Sequence, residues 1–467
     1  MLFGCASLDE RHAFDEWIRI KESTHPNALD ANHQSSGSEA TRRHAKDAEP
    51  AIGPDATLDS YLAYAALNNP SLEAAFNRWK AALERIPQVR SLPDPRFSYR
   101  YFIENVETRV GPQKQRFGLS QTFPWFGKLE LRAGLALEEA RKAQAQYEAR
   151  KLKLFYQVTQ TYYEYYYLAQ SIAVVGENRE LVKYLEEVAR TRFKTATAGH
   201  PDVIRAQVEL GKLDDRYRSL EDLRGSIVAR LNATLGRQTN TSLPWPKQVS
   251  YAPIQLDEAK LFAALPQSNP ELRSLRHQIA REHQSIRLAK KDYFPDVTLG
   301  VDYIDTGDAV SPSVADGGQD AVAAGFSINV PIWHEKYGAG VREGLARFGA
   351  ATKASVDREN ILQAELKTTL YHFNDAERKI GLYRDTLVPK ARQSIKATEA
   401  AFRAGTSSFF DVIDAQRLLL EFQLKFERAL ASRQTRLAEL EMLVGREIPA
   451  PPIPSDNTPH SEEVKEP

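Results

Sequence analysis

Cysteine is all but missing from this 467-residue sequence, with Cys5 the only one present. That excludes a disulfide framework and a cysteine metal cluster. Methionine is as scarce, Met1 and Met442 being the two present, so there is no relay of thioether ligands for soft metals. His12, His25, His33 and His44 scatter through a polar N-terminal stretch without ligand spacing, as solvated loop histidines do. Basic and acidic residues number 62 each, so net charge is zero and nucleic acid is not an expected partner. A phosphate loop, a nucleophile elbow and a His/Glu metal motif are all lacking, so neither catalysis nor a cofactor is expected. No run approaches the ~18 uninterrupted apolar residues of a transmembrane helix. A β-barrel leaves a much weaker trace and stays open.

What the sequence does contain is a duplication. Apolar residues make up 42% and charged residues 27%, ordinary values for a folded protein. Asn69-Pro70-Ser71-Leu72 recurs as Asn269-Pro270-Glu271-Leu272, and Pro93-Asp94-Pro95 is answered by Pro295-Asp296. Gln121-Thr122-Phe123-Pro124-Trp125 pairs with Ile328-Asn329-Val330-Pro331-Ile332-Trp333, and Leu235-Gly236-Arg237 with Val444-Gly445-Arg446. Asp-Val-Ile-x-Ala-Gln stands at 202–207 and again at 411–416. The matches keep one order, at offsets that rise only from 200 to 209. A repeat of this kind decides the fold reading. The chain divides into a polar linker at 1–56, one repeat at 57–236, a proline-bearing linker at 237–256, a second repeat at 257–445 and a proline-rich tail at 446–467, expected to be disordered.

Within each repeat the period of apolar residues changes. A helix is predicted from Thr57 to about Ile86, stopped by Pro87, Pro93 and Pro95. Phe97, Tyr99, Tyr101 and Ile103 then alternate with polar neighbours, as do Phe117, Leu119 and Phe123. Val297, Leu299, Val301 and Tyr303, then Val322, Ala324, Phe326, Ile328 and Val330, repeat the pattern. That is strand periodicity, giving two hairpins. Four strands leave two open edges, so if they span a membrane several chains must share one barrel. The soluble alternative buries the same apolar face against helices of its own chain. After the hairpins come helical runs from Lys128 to about Ala198, and from about Glu335 to Arg403 with a break at Pro389. Leu129, Ala133, Ala136, Ala140, Ala143 and Tyr147 keep coiled-coil spacing, and Leu154, Val158, Thr161, Tyr165, Leu168, Ile172 and Val175 resume it. Return helices are predicted over about 202–235 and 408–444. The cluster Tyr162-Tyr163-Glu164-Tyr165-Tyr166-Tyr167 reads as packing surface. Helices this long exceed a compact domain and imply a column or tube.

Helix, hairpin, long helix, tight turn and returning helix, all duplicated, resemble the TolC-type outer-membrane efflux proteins. The resemblance is carried by Asn69–Leu72, Gln121–Lys128, Asn269–Leu272, Gly405-Thr406 and Asp411–Gln416, and covers about residues 57–446. Phe123-Pro124-Trp125-Phe126-Gly127-Lys128 looks most like the heavy-metal efflux branch. The resemblance implies a mainly α chain whose four strands join a trimeric twelve-stranded barrel, with an α-helical periplasmic tunnel below. It implies a passive exit duct in the outer-membrane lipid, fed by a periplasmic adaptor and an inner-membrane pump, with heavy-metal cations among the conceivable cargo. On the same basis Asp411, Asp414 and Phe402 fall at a pore constriction, and Gly199, Asp202, Gly405, Thr406 and Ser407 at tips that meet the adaptor. Phe402 lacks the hydroxyl of a gating tyrosine, and Ser407 stands where an arginine can act as a tether, so a weaker or rewired closure is expected. The plainer reading of Asp411 and Asp414 is that they favour a helix N-terminus, worth about 0.3–1 kcal/mol. Leu2-Phe3-Gly4-Cys5-Ala6-Ser7 resembles the end of a bacterial lipoprotein signal, which would make Cys5 a lipid anchor; the alternative is an incidental thiol. The competing function is a soluble coiled-coil scaffold of the envelope.

Overall fold

The structure is a computed structural model that describes residues 52–195, 199–246, 251, 253–311 and 313–448. Cys5, the four N-terminal histidines and the tail from 449 lie outside the described residues.

Each repeat opens with two short helices, α1 (Leu58–Asn68) and α2 (Pro70–Arg90) in the first, α5 (Glu258–Ser268) and α6 (Pro270–Lys291) in the second. The single helix expected from Thr57 is thus two. Asn69 is the reason: its side chain accepts the amides of Ser71 and Leu72 and starts a new helix, with Pro70 in the first turn where its missing N–H costs nothing. Pro87 does not end α2, which runs three residues further to Arg90.

The duplicated motifs meet in space. The Asn69 amide donates to the Thr234 carbonyl at 2.8 Å, and Asn269 does the same to Leu443 at 2.8 Å. Each therefore starts one helix and caps the C-terminus of the repeat's last. Gly236 and Gly445 close those last helices with φ of 78° and 89°. A Cβ on either would sit 2.5 Å from the carbonyl oxygen of Asn68 or Ser268, so two separate constraints demand glycine.

The hairpins are β1 (Arg96–Val106) with β2 (Gln113–Phe123), and β3 (Val297–Thr306) with β4 (Ala321–Ile328). They form one antiparallel sheet in the order β1-β2-β3-β4, with β1 and β4 as unpaired edges. Below it α3 (Lys128–Lys194) runs 67 residues without a break, about 100 Å at 1.5 Å per residue. Its predicted stripe is real: Leu154, Val158, Thr161, Tyr165, Leu168 and Val175 are buried, with Tyr162, Tyr163 and Tyr166 beside them. The return helix α4 is His200–Leu235.

The second repeat departs at Pro389. Helix α7 (His334–Leu382) passes through a π-helical turn, Tyr383–Leu387, straight into α8 (Val388–Arg403). The expected break is a bulge instead, since a π turn relieves the clash of a proline ring with the preceding turn without ending the helix. Helix α9 is Phe409–Val444.

The core is strung along the length. One cluster joins α1, α3 and α4 around Tyr61, Tyr165 and Leu231; a matching one joins α5, α7 and α9 around Leu265, Phe373 and Leu440. A third lies at the far end, where Leu185, Ala206, Phe402 and Phe409 meet.

Candidate functional site: an open sheet and two helical tips

Sheet register sorts the strand residues by face. Phe97, Leu119, Val301 and Ala324 are cross-strand neighbours in one row; Tyr99, Phe117, Tyr303 and Val322 form the next. No helix among the described residues covers them. Phe97 is 67% exposed and Ile103 is 92% exposed. The expectation of a soluble scaffold required this face to be buried within one chain, and it is not. The opposite face carries Ser98, Gly118 and Asp302 in one row and Arg100 with Arg116 in the next, and Arg116 pairs with Asp302. A polar face backed by an uncovered apolar one is the arrangement of a strand set between lipid and water. A single sheet leaves the outer backbone groups of β1 and β4 unpaired, at several kcal/mol each in hydrocarbon.

The junction between sheet and tube is fastened by the Phe123–Lys128 motif. Lys128 is buried; its ammonium donates to Asp296 at 2.8 Å and to the Phe294 carbonyl at 3.0 Å. The Trp125 amide also donates to Asp296 at 2.8 Å, and the Trp125 ring stacks on Phe294 at 5.3 Å. This motif thus ties the first repeat's hairpin exit to the second repeat's hairpin entry.

At the other end, two turns stand side by side. The turn into α9 begins at Gly405, whose φ of 83° follows the last turn of α8. Its amide donates to the Phe402 carbonyl at 3.0 Å, and Thr406 donates to Ala401 at 2.9 Å. Ser408 caps α9, its hydroxyl accepting from the Asp411 amide at 3.3 Å. Asp411 accepts from the Ser408 amide at 3.0 Å and from the hydroxyls of Ser408 and Ser407 at 2.7 and 2.9 Å. Those bonds, Ser408's first, hold the Asp411 carboxyl below the usual carboxylate range. Asp411 and Asp414 are both exposed, one turn apart. Gly405 and Thr406 are exposed and Ser407 half-buried. In the other turn Gly199 precedes α4, and Asp202, half-buried, lies 3.8 Å from Arg205.

Phe402 is elsewhere than expected. It is 3% exposed, edge-on to Phe409 at 5.5 Å, and belongs to the core behind the turn. A ring already buried within one chain cannot line an axis shared by several. Arg192, at the end of α3, lies over this ring at 4.5 Å and donates to the Phe402 carbonyl, the last turn of α8. Arg403 reaches back to the Tyr184 hydroxyl, and Arg417 of α9 pairs with the buried Glu209 of α4. The Arg417 bond holds the Glu209 carboxyl low despite burial. Arg192 and Tyr184 of the first repeat thus both bond the last turn of α8. Spacing alone shows none of these links, because they join residues some 208 to 219 positions apart.

The pattern of outer membrane efflux proteins matches residues 62–237 and again 262–446, which is most of the chain. The chain belongs to the outer membrane efflux protein family. That membership places this efflux protein in the outer membrane. It is 24% identical over 394 residues to the outer membrane protein TolC of Vibrio cholerae, covering 81% of this chain and 88% of that one. To the cobalt-zinc-cadmium resistance protein CzcC of Cupriavidus metallidurans it is 19% identical over 402 residues, covering 85% and 91%. The crystal structure of the outer membrane protein VceC from Vibrio cholerae superposes with a TM-score of 0.70 at 18% identity, covering 84% of this chain and 96% of that one. The fold of this efflux protein is thus the fold of an outer-membrane channel, a helical tube carrying strands for a barrel.

Proposed function

We propose that three copies of this chain form the outer-membrane exit duct of a tripartite efflux system. Each copy gives its four strands to one twelve-stranded barrel, and cargo handed on by an inner-membrane pump and a periplasmic adaptor passes through without chemistry. The observation that carries this reading is the sheet itself, whose apolar face is uncovered and whose edges β1 and β4 are unpaired. Joining β4 of one copy to β1 of the next satisfies both edges and closes the barrel. In such a ring the exposed carboxylates of Asp411 and Asp414 come together around the axis and narrow the mouth. Clustered carboxylates draw cations. Phe402 and Arg192 act from behind, holding the turn that carries them. The tips at Gly199, Asp202, Gly405, Thr406 and Ser407 face the adaptor.

Purified in detergent and reconstituted in planar bilayers, the protein should be trimeric and conduct. Asp411→Ala with Asp414→Ala should raise single-channel conductance or alter cation selectivity. A monodisperse monomer in plain buffer would end the duct reading, and unchanged conductance in the double variant would end the constriction alone.

A further inference from the structure

The charged exposed residues of α9 between 411 and 428 are Asp411, Asp414, Arg417, Glu421, Lys425 and Arg428. At about 100° per residue they fall within an arc of about 120°, so they form one stripe. Its sign changes along the helix. Acids hold the tip, and cations dominate from about 5 to about 20 Å above Asp414 at 1.5 Å per residue.

Above the tip the stripe borders a cleft of about 530 Å³ between α4 and α9, floored by Tyr167, Leu213, Leu420 and Leu424. Lys212 and Arg216 join it from α4, so five cations face two carboxylates, Glu209 and Glu421. Glu209 is taken by Arg417 and lies 3.6 Å from Lys212, while Glu421 is taken by Lys425. Arg216 and Arg428 have no carboxylate within ion-pairing distance among the described residues. The Arg428 guanidinium lies over the Tyr167 ring at 4.6 Å, which aligns it with the cleft floor.

We infer that this cleft is a binding station inside the duct for amphiphilic organic anions, an apolar body on the Tyr167 floor and a carboxylate, sulfonate or phosphate against Arg216 and Arg428. Guanidinium groups suit such anions through paired donors, and weak hydration makes them less costly to strip of water than ammonium groups. The duct is then biased toward anionic cargo just above an acidic mouth. The inference rests on the axial placement of Asp411 and Asp414 under the proposed function, because the cleft cations share their stripe.

The test uses the full-length protein in planar bilayers, with Asp411→Asn and Asp414→Asn as background so that the mouth does not set selectivity. Arg417 stays in place, since losing it would strand the buried Glu209. Reversal potential in a KCl gradient should show the background preferring chloride. Adding Arg216→Gln, Lys425→Gln and Arg428→Gln should lower the chloride-to-potassium permeability ratio about fivefold or more, as removal of close, weakly screened charges does. The same variant should lose current block by naphthalene disulfonate. Trimer retention on gel filtration should accompany both changes, since the proposal turns all three side chains to the axis. A changed conductance in the Asn background with an unmoved ratio and unmoved block in the cleft variant overturns the cleft alone. That includes the case in which the variant instead loses adaptor binding, which would put the cleft on the outside. If the Asn background conducts as wild type does, the axial reading fails first and takes the cleft's placement with it.

Discussion

The same six-residue motif opens both return helices, and the two copies are packed differently. Val203 and Val412 are buried, as are Ala206 and Ala415. Ile413 is 5% exposed, but its counterpart Ile204 is 45% exposed, and Val208 one turn on is 53% exposed. The closing glutamines diverge as well. Gln416 is fully buried and donates to Asn178 of α3 at 3.1 Å, whereas Gln207 is exposed and donates to Glu186 of α3 at 3.2 Å. Helix α9 is gripped by α3 on one side and by α8 on another; α4 leans chiefly on α3 alone. The second copy of the motif is thus finished within its own chain. The first leaves an apolar edge at the level where the proposed duct meets neighbouring copies and its adaptor.

Placing an aspartate at the third motif position should give the largest split between the copies. Ile413→Asp puts a carboxylate without a partner into the core formed with Phe402 and Phe409. It should cost about 4 kcal/mol or more, among the severe effects of single changes. Ile204→Asp alters an exposed site and should move the unfolding midpoint of the single chain by about 0.5 kcal/mol or less. It should instead weaken trimer formation or adaptor capture. Urea unfolding paired with gel filtration reads both, and equal destabilisation by the two variants would break the comparison.

A smaller split is expected at the glutamines. Gln416→Ala leaves the Asn178 oxygen without that donor inside the tube and should cost about 1 kcal/mol, part of the loss being offset because the Gln416 oxygen itself finds no partner among the described residues. Gln207→Ala, at the surface, should be within about 0.5 kcal/mol of neutral. Matching losses in the two would mean that α4 is held as firmly as α9.

Much of this was readable from residues alone because it is periodic or local. Alternation marked the strands, and spacing found the stripe from Leu154 to Val175. Asn69-Pro70 and Asn269-Pro270 reveal the duplication, but the single helix predicted from Thr57 to about Ile86 hides the helix start at Asn69. What sequence could not give is what depends on a partner helix. The burial of Phe402 follows from α3 lying behind α8. The bonds of Arg192 to the Phe402 carbonyl and of Arg403 to Tyr184 join the two repeats, so no local spacing shows them. Which face of the strands met helices was open for the same reason, since alternation fixes two faces but not their surroundings. The continuation of the helix past Pro389 is not legible in the sequence, because a proline forbids one hydrogen bond but the neighbouring turn can widen to absorb it.

The smallest difference concerns acid. Helix α9 starts on a capping box closed by the Asp411 carboxylate, whereas among the described residues no side chain caps the start of α4. The Asp411 pKa is depressed in the folded chain by its serine donors, so the box contributes fully above the ordinary carboxylate pKa and is lost as pH falls through the lower folded value. Below that point Asp411 can no longer accept three hydrogen bonds, and the first turn of α9 should fray while α8 and the Gly405 turn stay in place. Amide exchange measured down a pH series below the ordinary carboxylate range, and corrected for the intrinsic rate, should show protection falling in the first turn of α9 and unchanged at the start of α4. Ser408→Ala removes the cap and one of the three donors to Asp411, and should narrow the difference at a cost of about 1 kcal/mol. Parallel loss at both tips would mean that the carboxylates at the proposed mouth are governed by one another, across copies, more than by the turn that holds each one.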